Sequence, residues 1–129
     1  MIVVAVLGLL SAIALPRFGN MLVRSKESST KGNLGAFRAA ICIYYSDNEG
    51  IHPSAAGLPV SLTTGGRYLD AIPPAHIPVP GNHPNTIAVT DFAGAYTDVG
   101  DWMYQSTASG TLTVNCTHSD TTSHIWSSW

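Results

Sequence analysis

The chain has 129 residues and a net charge of −2, with 11% charged side chains against 45% apolar ones. That length and composition fit one small domain on a protruding helix, and no internal repeat is visible. So much apolar side chain with so little charge excludes a fully self-contained soluble surface, since lipid or other copies of the chain have to cover it.

The first element, MIVVAVLGLLSAIAL, holds fifteen uncharged residues from Met1 to Leu15 ahead of Pro16 and Arg17. As a helix it reaches roughly 22 Å at about 1.5 Å per residue. A bilayer core is about 30 Å thick and takes about 20 apolar residues. The segment does not read as a secretory signal, because no basic residue precedes it and helical periodicity replaces a cleavage site. Apolar residues recur as Phe18, Met21, Leu22, Leu34, Phe37, Ile41 and Tyr44 or Tyr45. This spacing predicts one helix from Ile2 to Asp47, apolar all round in its first third and amphipathic afterwards. Gly50, His52 and Pro53 end it.

Residues 17–38 carry Arg17, Arg24, Lys26, Lys31 and Arg38 against the single acid Glu27, whereas seven acids and only Arg67 follow Ser46. A basic helix and an acidic remainder suit complementary contacts between copies, which makes these five cations candidates for inter-subunit pairing. The competing reading is a set of solvated surface residues. DNA is a weak candidate partner, because the cations are interleaved with one aromatic, Phe37.

From Ile51 to Pro84 the chain is punctuated by Pro53, Pro59, Pro73, Pro74, Pro78, Pro80 and Pro84, which exclude central strands and long helices. An ordered loop wrapping the helix is expected, with a short turn at GRYLDAIP. TIAVT (86–90) reads as an edge strand, and DWMYQS and TLTVNC read as a hairpin joined by TASG. HIWSSW (124–129) reads as a closing strand. Alternation puts Leu112, Val114 and Cys116 on one face, against the helix. The expected fold class is α+β, a long N-terminal helix packed on a three- or four-stranded antiparallel sheet.

Signals for chemistry are sparse. His52, His76, His83, His118 and His124 are scattered, with no paired-cysteine or H-x-x-x-H spacing for a metal. No G-x-S-x-G elbow, phosphate loop or poised carboxylate pair is present, so no catalytic residue is assigned. Asn115-Cys116-Thr117 fits the N-glycosylation pattern by coincidence, lying on an inward-facing strand. Phe18, Phe37, Tyr44 and Tyr45 read as packing residues rather than an electron conduit.

IVVAVLGLLSAIALPRF resembles the N-terminal helix of type IV pilins and of the related pseudopilins of type II secretion. The strong likeness covers Met1 to Phe18, and the order of helix, proline-rich loop and strands extends a looser one over the chain. The resemblance implies a pilin fold, with residues 1–25 a protruding membrane anchor and filament core and residues 26–129 a globular head. Ile2, Val3, Val4, Val6, Leu7, Leu9, Leu10, Ile13, Leu15 and Phe18 would line that core. It also implies a few residues ahead of Met1, including a glutamate two positions upstream. The implied role is structural, not enzymatic, and needs no cofactor or metal. A precursor enters the bacterial inner membrane, is trimmed by a prepilin peptidase and methylated, and is drawn by an assembly platform into a helical homopolymer, an extracellular pilus on the cell surface. The positive-inside rule would place the basic side in the cytoplasm, but the resemblance implies the opposite orientation. A major pseudopilin is the alternative within the family, and a monomeric membrane-anchored binding domain the alternative from outside it. Major pseudopilins hold calcium in a C-terminal loop; Ser119-Asp120-Thr121, with one carboxylate, and Asp98 with Asp101 are weak matches.

Two further expectations follow from the resemblance. Cys42 on the helix and Cys116 on the strand covering it, both in an exported head, are expected to pair. The bond would close a loop of about 75 residues, worth roughly 4 kcal/mol; two free buried cysteines are the alternative. Gly8 and Pro16 are expected to mark a break, since related pilins melt in this region on assembly and Pro16 cannot donate to the Ala12 carbonyl.

Overall fold

The computed structural model describes residues 1–78, 83–106 and 109–129. Val79, Pro80, Gly81 and Asn82 of the proline-rich segment, and Thr107 and Ala108 of the expected TASG turn, lie outside the described residues. Helix α1 runs from Ile2 to Asp47, with the bounds expected from the sequence, and stays helical through Pro16. Its end is set locally: the Asn48 amide donates to the Tyr44 carbonyl, and Glu49 and Gly50 then take φ of 56° and 83°. That left-handed step turns the chain away from the helix axis.

The second half of α1 buries a stripe of Glu27, Thr30, Leu34, Phe37 and Ile41, the three-and-four spacing of one helix face. Against it pack Leu58 and Leu62 of a short helix α2 (Leu58–Thr63), Ala75 and Ile77 of the loop, and Trp126 near the C-terminus. Helix α2 was not foreseen. It tolerates Pro59 because the proline occupies the first turn, where an N–H has no helical partner to lose. GRYLDAIP contributes bends rather than a distinct turn element. The loop does wrap α1, and side chains of the helix hold its backbone. Thr30 Oγ1 donates to the His76 carbonyl at 2.7 Å and accepts from the His76 amide at 2.9 Å. Asn33 Nδ2 donates to the Pro74 carbonyl at 2.9 Å.

Three strands follow, β1 (Val89–Asp91), β2 (Trp102–Gln105) and β3 (Thr111–Val114), hydrogen-bonded in that order. β2 and β3 are antiparallel, with Trp102 opposite Val114 and Gln105 opposite Thr111. β1, however, runs parallel to β2, with Val89 opposite Trp102. The α+β class stands, but the sheet is mixed rather than antiparallel, because residues 92–101 cross over before β2 begins instead of making a hairpin. HIWSSW is likewise not a strand. Trp126–Ser128 forms a 3₁₀ turn that sinks Trp126 into the core, while its backbone amides donate to the His118 and Cys116 carbonyls.

The alternation of TLTVNC holds: Leu112, Val114 and Cys116 are all buried. Trp102 and Tyr104 supply the same face from β2. Phe37 meets Trp102 edge-on, with ring centroids 5.8 Å apart and an interplanar angle of 88°, a favoured aromatic geometry. The Trp102 indole donates to the Pro73 carbonyl at 2.7 Å, which ties sheet, helix and loop together.

Candidate functional site

Between Ile2 and Lys26 no residue is buried, and only Ala14 and Val23 are partly covered. All ten apolar residues expected in a filament core are exposed, from 49% at Val6 to 82% at Ile2, and Met21 and Leu22 continue the surface. Burying one such side chain is worth about 1.5–3 kcal/mol, so ten of them carry a large unspent driving force for lipid or protein contact. The helix is long and apolar enough to cross a membrane.

Gly8, Gly19, Gly32 and Gly35 also lie in α1, and a Cβ added at any of them meets nothing within 4 Å. Each glycine weakens a helix by about 0.8–1.0 kcal/mol relative to alanine. Nothing among the described residues requires them.

The five basic candidates divide. Lys31 Nζ pairs with Asp120 at 2.7 Å and lies 3.7 Å from the centre of the Trp129 ring. Arg38 donates from Nε and Nη2 to the Leu112 carbonyl at 2.9 and 2.6 Å, and from Nη2 to the Trp129 carbonyl. Partial burial pulls its pKa below the ordinary arginine value. These two are engaged within the head, a correction to their expected place between subunits, because both project toward the C-terminal segment that closes over α1. Arg17, Arg24 and Lys26 have no carboxylate within ion-pair distance among the described residues.

The acids serve the head. Burial by itself would raise the Asp120 carboxyl, but the Lys31 ammonium, the Thr122 hydroxyl and the Thr122 and His124 amides together hold it far below the usual carboxylate range. Glu27, singled out only as the one acid among cations, is buried, and its two carboxylate oxygens accept from the Thr121 amide and hydroxyl. The Asp101 carboxylate accepts from Asn115 Nδ2 at 2.7 Å and from the Thr90 hydroxyl. Asn115 is itself fully buried, so the N-glycosylation pattern is sterically closed.

The cysteines correct an expectation. Cys42 and Cys116 are both free, Cys42 exposed and Cys116 buried. Ile41 occupies the core-facing position, and one further residue turns a helix by about 100°, which carries Cys42 out toward solvent. Cys116 instead lies beside two histidines, its Sγ 3.4 Å from His83 Nε2 and 3.3 Å from His118 Nδ1. His83 Nε2 and His118 Nδ1 are 3.4 Å apart. Burial raises the Cys116 thiol pKa, partly opposed by a backbone hydrogen bond from His118. The histidines are therefore not all scattered. The legible signal was Cys116-Thr117-His118, since extended residues two apart share a face; His83, 33 positions away, had none. Among the aromatics, Phe37 packs on Trp102, Tyr44 meets Tyr68 edge-on, and Tyr45 stacks on His52.

Two curated proteins are similar to this chain. One is the fimbrial protein EcpC of Eikenella corrodens, 37% identical over 75 residues that make up 56% of this chain and 47% of the relative. The other is the type IV major pilin protein PilA of Myxococcus xanthus strain DK1622, 38% identical over 68 residues, 53% of this chain and 31% of the relative. The matched span is thus about half of one relative and about a third of the other. No family profile matches the chain, and no solved structure does.

Proposed function

Taking the chain as a member of a type IV pilin-like family, we propose that it is a structural subunit that polymerises through its N-terminal helix into a pilus at the cell surface. The observation that carries this reading is the sharp boundary in α1, where an apolar surface open on every side gives way at Glu27 to a packed head. A head with its own core does not need the first 25 residues, so their apolar surface is available to lipid first and to neighbouring helices afterwards. Exchange between the two is thermodynamically mild, because both surroundings are apolar and packing replaces lipid contact. The glycines of α1 support the same reading: they cost helix stability in the lone chain and let helix backbones approach closely in a bundle.

Residues 1–25 accordingly act as anchor and filament core, and residues 26–129 form the sheath. Arg17, Arg24 and Lys26 are the cations left to meet acids of neighbouring heads. A prepilin peptidase and an inner-membrane platform are the implied partners in processing and assembly. A pilus is preferred over a secretion pseudopilus on the relatives' names, fimbrial protein and major pilin, and on the weak match of residues 119–121 to a calcium loop.

Electron microscopy of cells expressing Val4→Asp or Leu7→Asp tests the reading. A carboxylate at bilayer or bundle depth costs roughly 2.5–3.5 kcal/mol, so filaments should vanish while the head keeps its near-ultraviolet tryptophan signal. Normal filaments from either variant would remove the core assignment. In the wild-type filament, non-helical backbone is expected between Gly8 and Pro16 with helix on both sides. Unbroken helical hydrogen bonding from Val4 to Met21 in the filament would count against that break.

A further inference from the structure

We propose that His83 Nε2, Cys116 Sγ and His118 Nδ1 form a binding site for a tetrahedral divalent metal ion of the zinc class. The three candidate ligand atoms come from two places along the chain, His83 and the Cys116–His118 segment, and converge at 3.3–3.4 Å from one another. Zinc–nitrogen bonds of about 2.0–2.1 Å and a zinc–sulfur bond of about 2.3 Å, set at tetrahedral angles, place N···N at about 3.4 Å and S···N at about 3.5 Å. The observed triangle matches one face of that tetrahedron to within about 0.2 Å on each edge. For the His83–His118 edge, hydrogen bonding explains the separation less well, because N–H bonds to oxygen cluster near 2.9–3.0 Å; the two edges to sulfur have a length that suits a shared metal and a hydrogen bond to sulfur alike.

The surroundings hold the ligands in place. His118 follows Cys116 by two residues, and the His118 and Cys116 carbonyls accept hydrogen bonds from the Trp126 and Ser127 amides respectively. His83 is seated on Gly100, which has φ of 82°; a Cβ there would lie 2.4 Å from His83 Cβ. Asp98, itself in the left-handed region with φ of 54°, accepts from the Thr117 amide and hydroxyl, and its Oδ1 lies 3.9 Å from His118 Nδ1. Water completes the fourth corner, with Asp98 placed to orient His118. A thiolate with two imidazoles selects zinc-class ions over calcium or magnesium, which take oxygen ligands. On binding, the Cys116 thiol loses its proton to solvent and the sulfur forms the metal bond, so one proton is released per ion and no oxidant is needed. The bound ion would clamp the loop carrying His83 to the chain leaving β3. The site lies wholly in the head and is independent of filament assembly.

The test uses the full chain in detergent, in a Cys42→Ser background that removes the exposed thiol. Titration with cobalt(II) is expected to give a thiolate-to-cobalt charge-transfer absorption saturating at one equivalent, and zinc(II) is expected to displace it. Cys116→Ser should abolish that absorption. His83→Gln and His118→Gln, at half-exposed positions, should each weaken zinc(II) affinity by about 100-fold, taking loss of a ligand to be at least as costly as loss of its outer partners. Their circular dichroism should stay unchanged. Absence of the charge-transfer band, its survival in Cys116→Ser, or wild-type zinc affinity in folded His83→Gln would overturn the site. Saturable copper(I) binding with no response to cobalt(II) or zinc(II) would overturn the metal class.

Discussion

The two halves of α1 share a backbone conformation and little else. Ile2 to Lys26 buries nothing in the single chain, whereas Glu27 to Ile41 places a residue in the core at every third or fourth position. Leu10 and Leu34 show the contrast in one residue type, 60% and 3% exposed on the same helix. In the head half, the stripe is narrow because only one side of α1 faces sheet, α2 and loop. In the stalk half, apolar residues occupy every side, and a helix of that pattern is at rest only when surrounded. Local propensity makes the helix in both halves, while the surroundings differ: the chain's own sheet covers one, and the described residues leave the other uncovered.

Matched truncations break this comparison most directly. Leu34→Ala should destabilise the head by about 2–5 kcal/mol, the cost of a lost core side chain and its cavity. Leu10→Ala should leave head stability unchanged to within about 0.5 kcal/mol. Thermal unfolding of the detergent-solubilised variants, followed through the tryptophan signal, checks both. Equal losses would mean that the stalk folds as part of the head.

Lys31 sharpens it at the next level, since it is a cation of the basic helix that the head has taken for itself. Lys31→Met leaves Asp120, whose side chain is fully buried, without its counter-charge, at a cost of about 2 kcal/mol near neutrality. The sign with pH follows from the depressed Asp120 carboxyl. Its contribution is complete above the unfolded value of about 3.9 and is lost as pH falls through the folded pKa. Wild-type thermal stability should therefore decline below about pH 4, and the gap to Lys31→Met should narrow there. Urea midpoints measured across that range decide the matter, and a gap that widens in acid would contradict the pairing.

The smallest effect separates the lone chain from the proposed filament. Gly8→Ala should raise the helicity of the detergent-solubilised chain, by about 0.8–1.0 kcal/mol in helix stability, because nothing lies within 4 Å of the added methyl. The same change should slow or reduce filament formation, read by pelleting. Unaltered assembly would mean that no neighbouring backbone approaches Gly8.

The sequence by itself determined the helix, its ends and its two characters, because hydrophobic periodicity and the Glu49–Gly50 turn are local properties carried by residues a few positions apart. It determined equally that Leu112, Val114 and Cys116 face inward, since alternation along a strand needs no knowledge of the partner. Tertiary structure decided everything that depended on which distant segment arrived where. β1 joins β2 in parallel because of the route taken by residues 92–101, and the C-terminal tryptophan segment becomes a turn because Trp126 has a core cavity to fill rather than a ladder to extend. Arg38 and Lys31 point at that same closing segment, so charge alone could not tell head contacts from subunit contacts. His118 beside Cys116, and Cys42 turned away from the core next to Ile41, follow from strand and helix periodicity; His83 joins them because the fold carries a loop from 33 positions away, which residue spacing does not record.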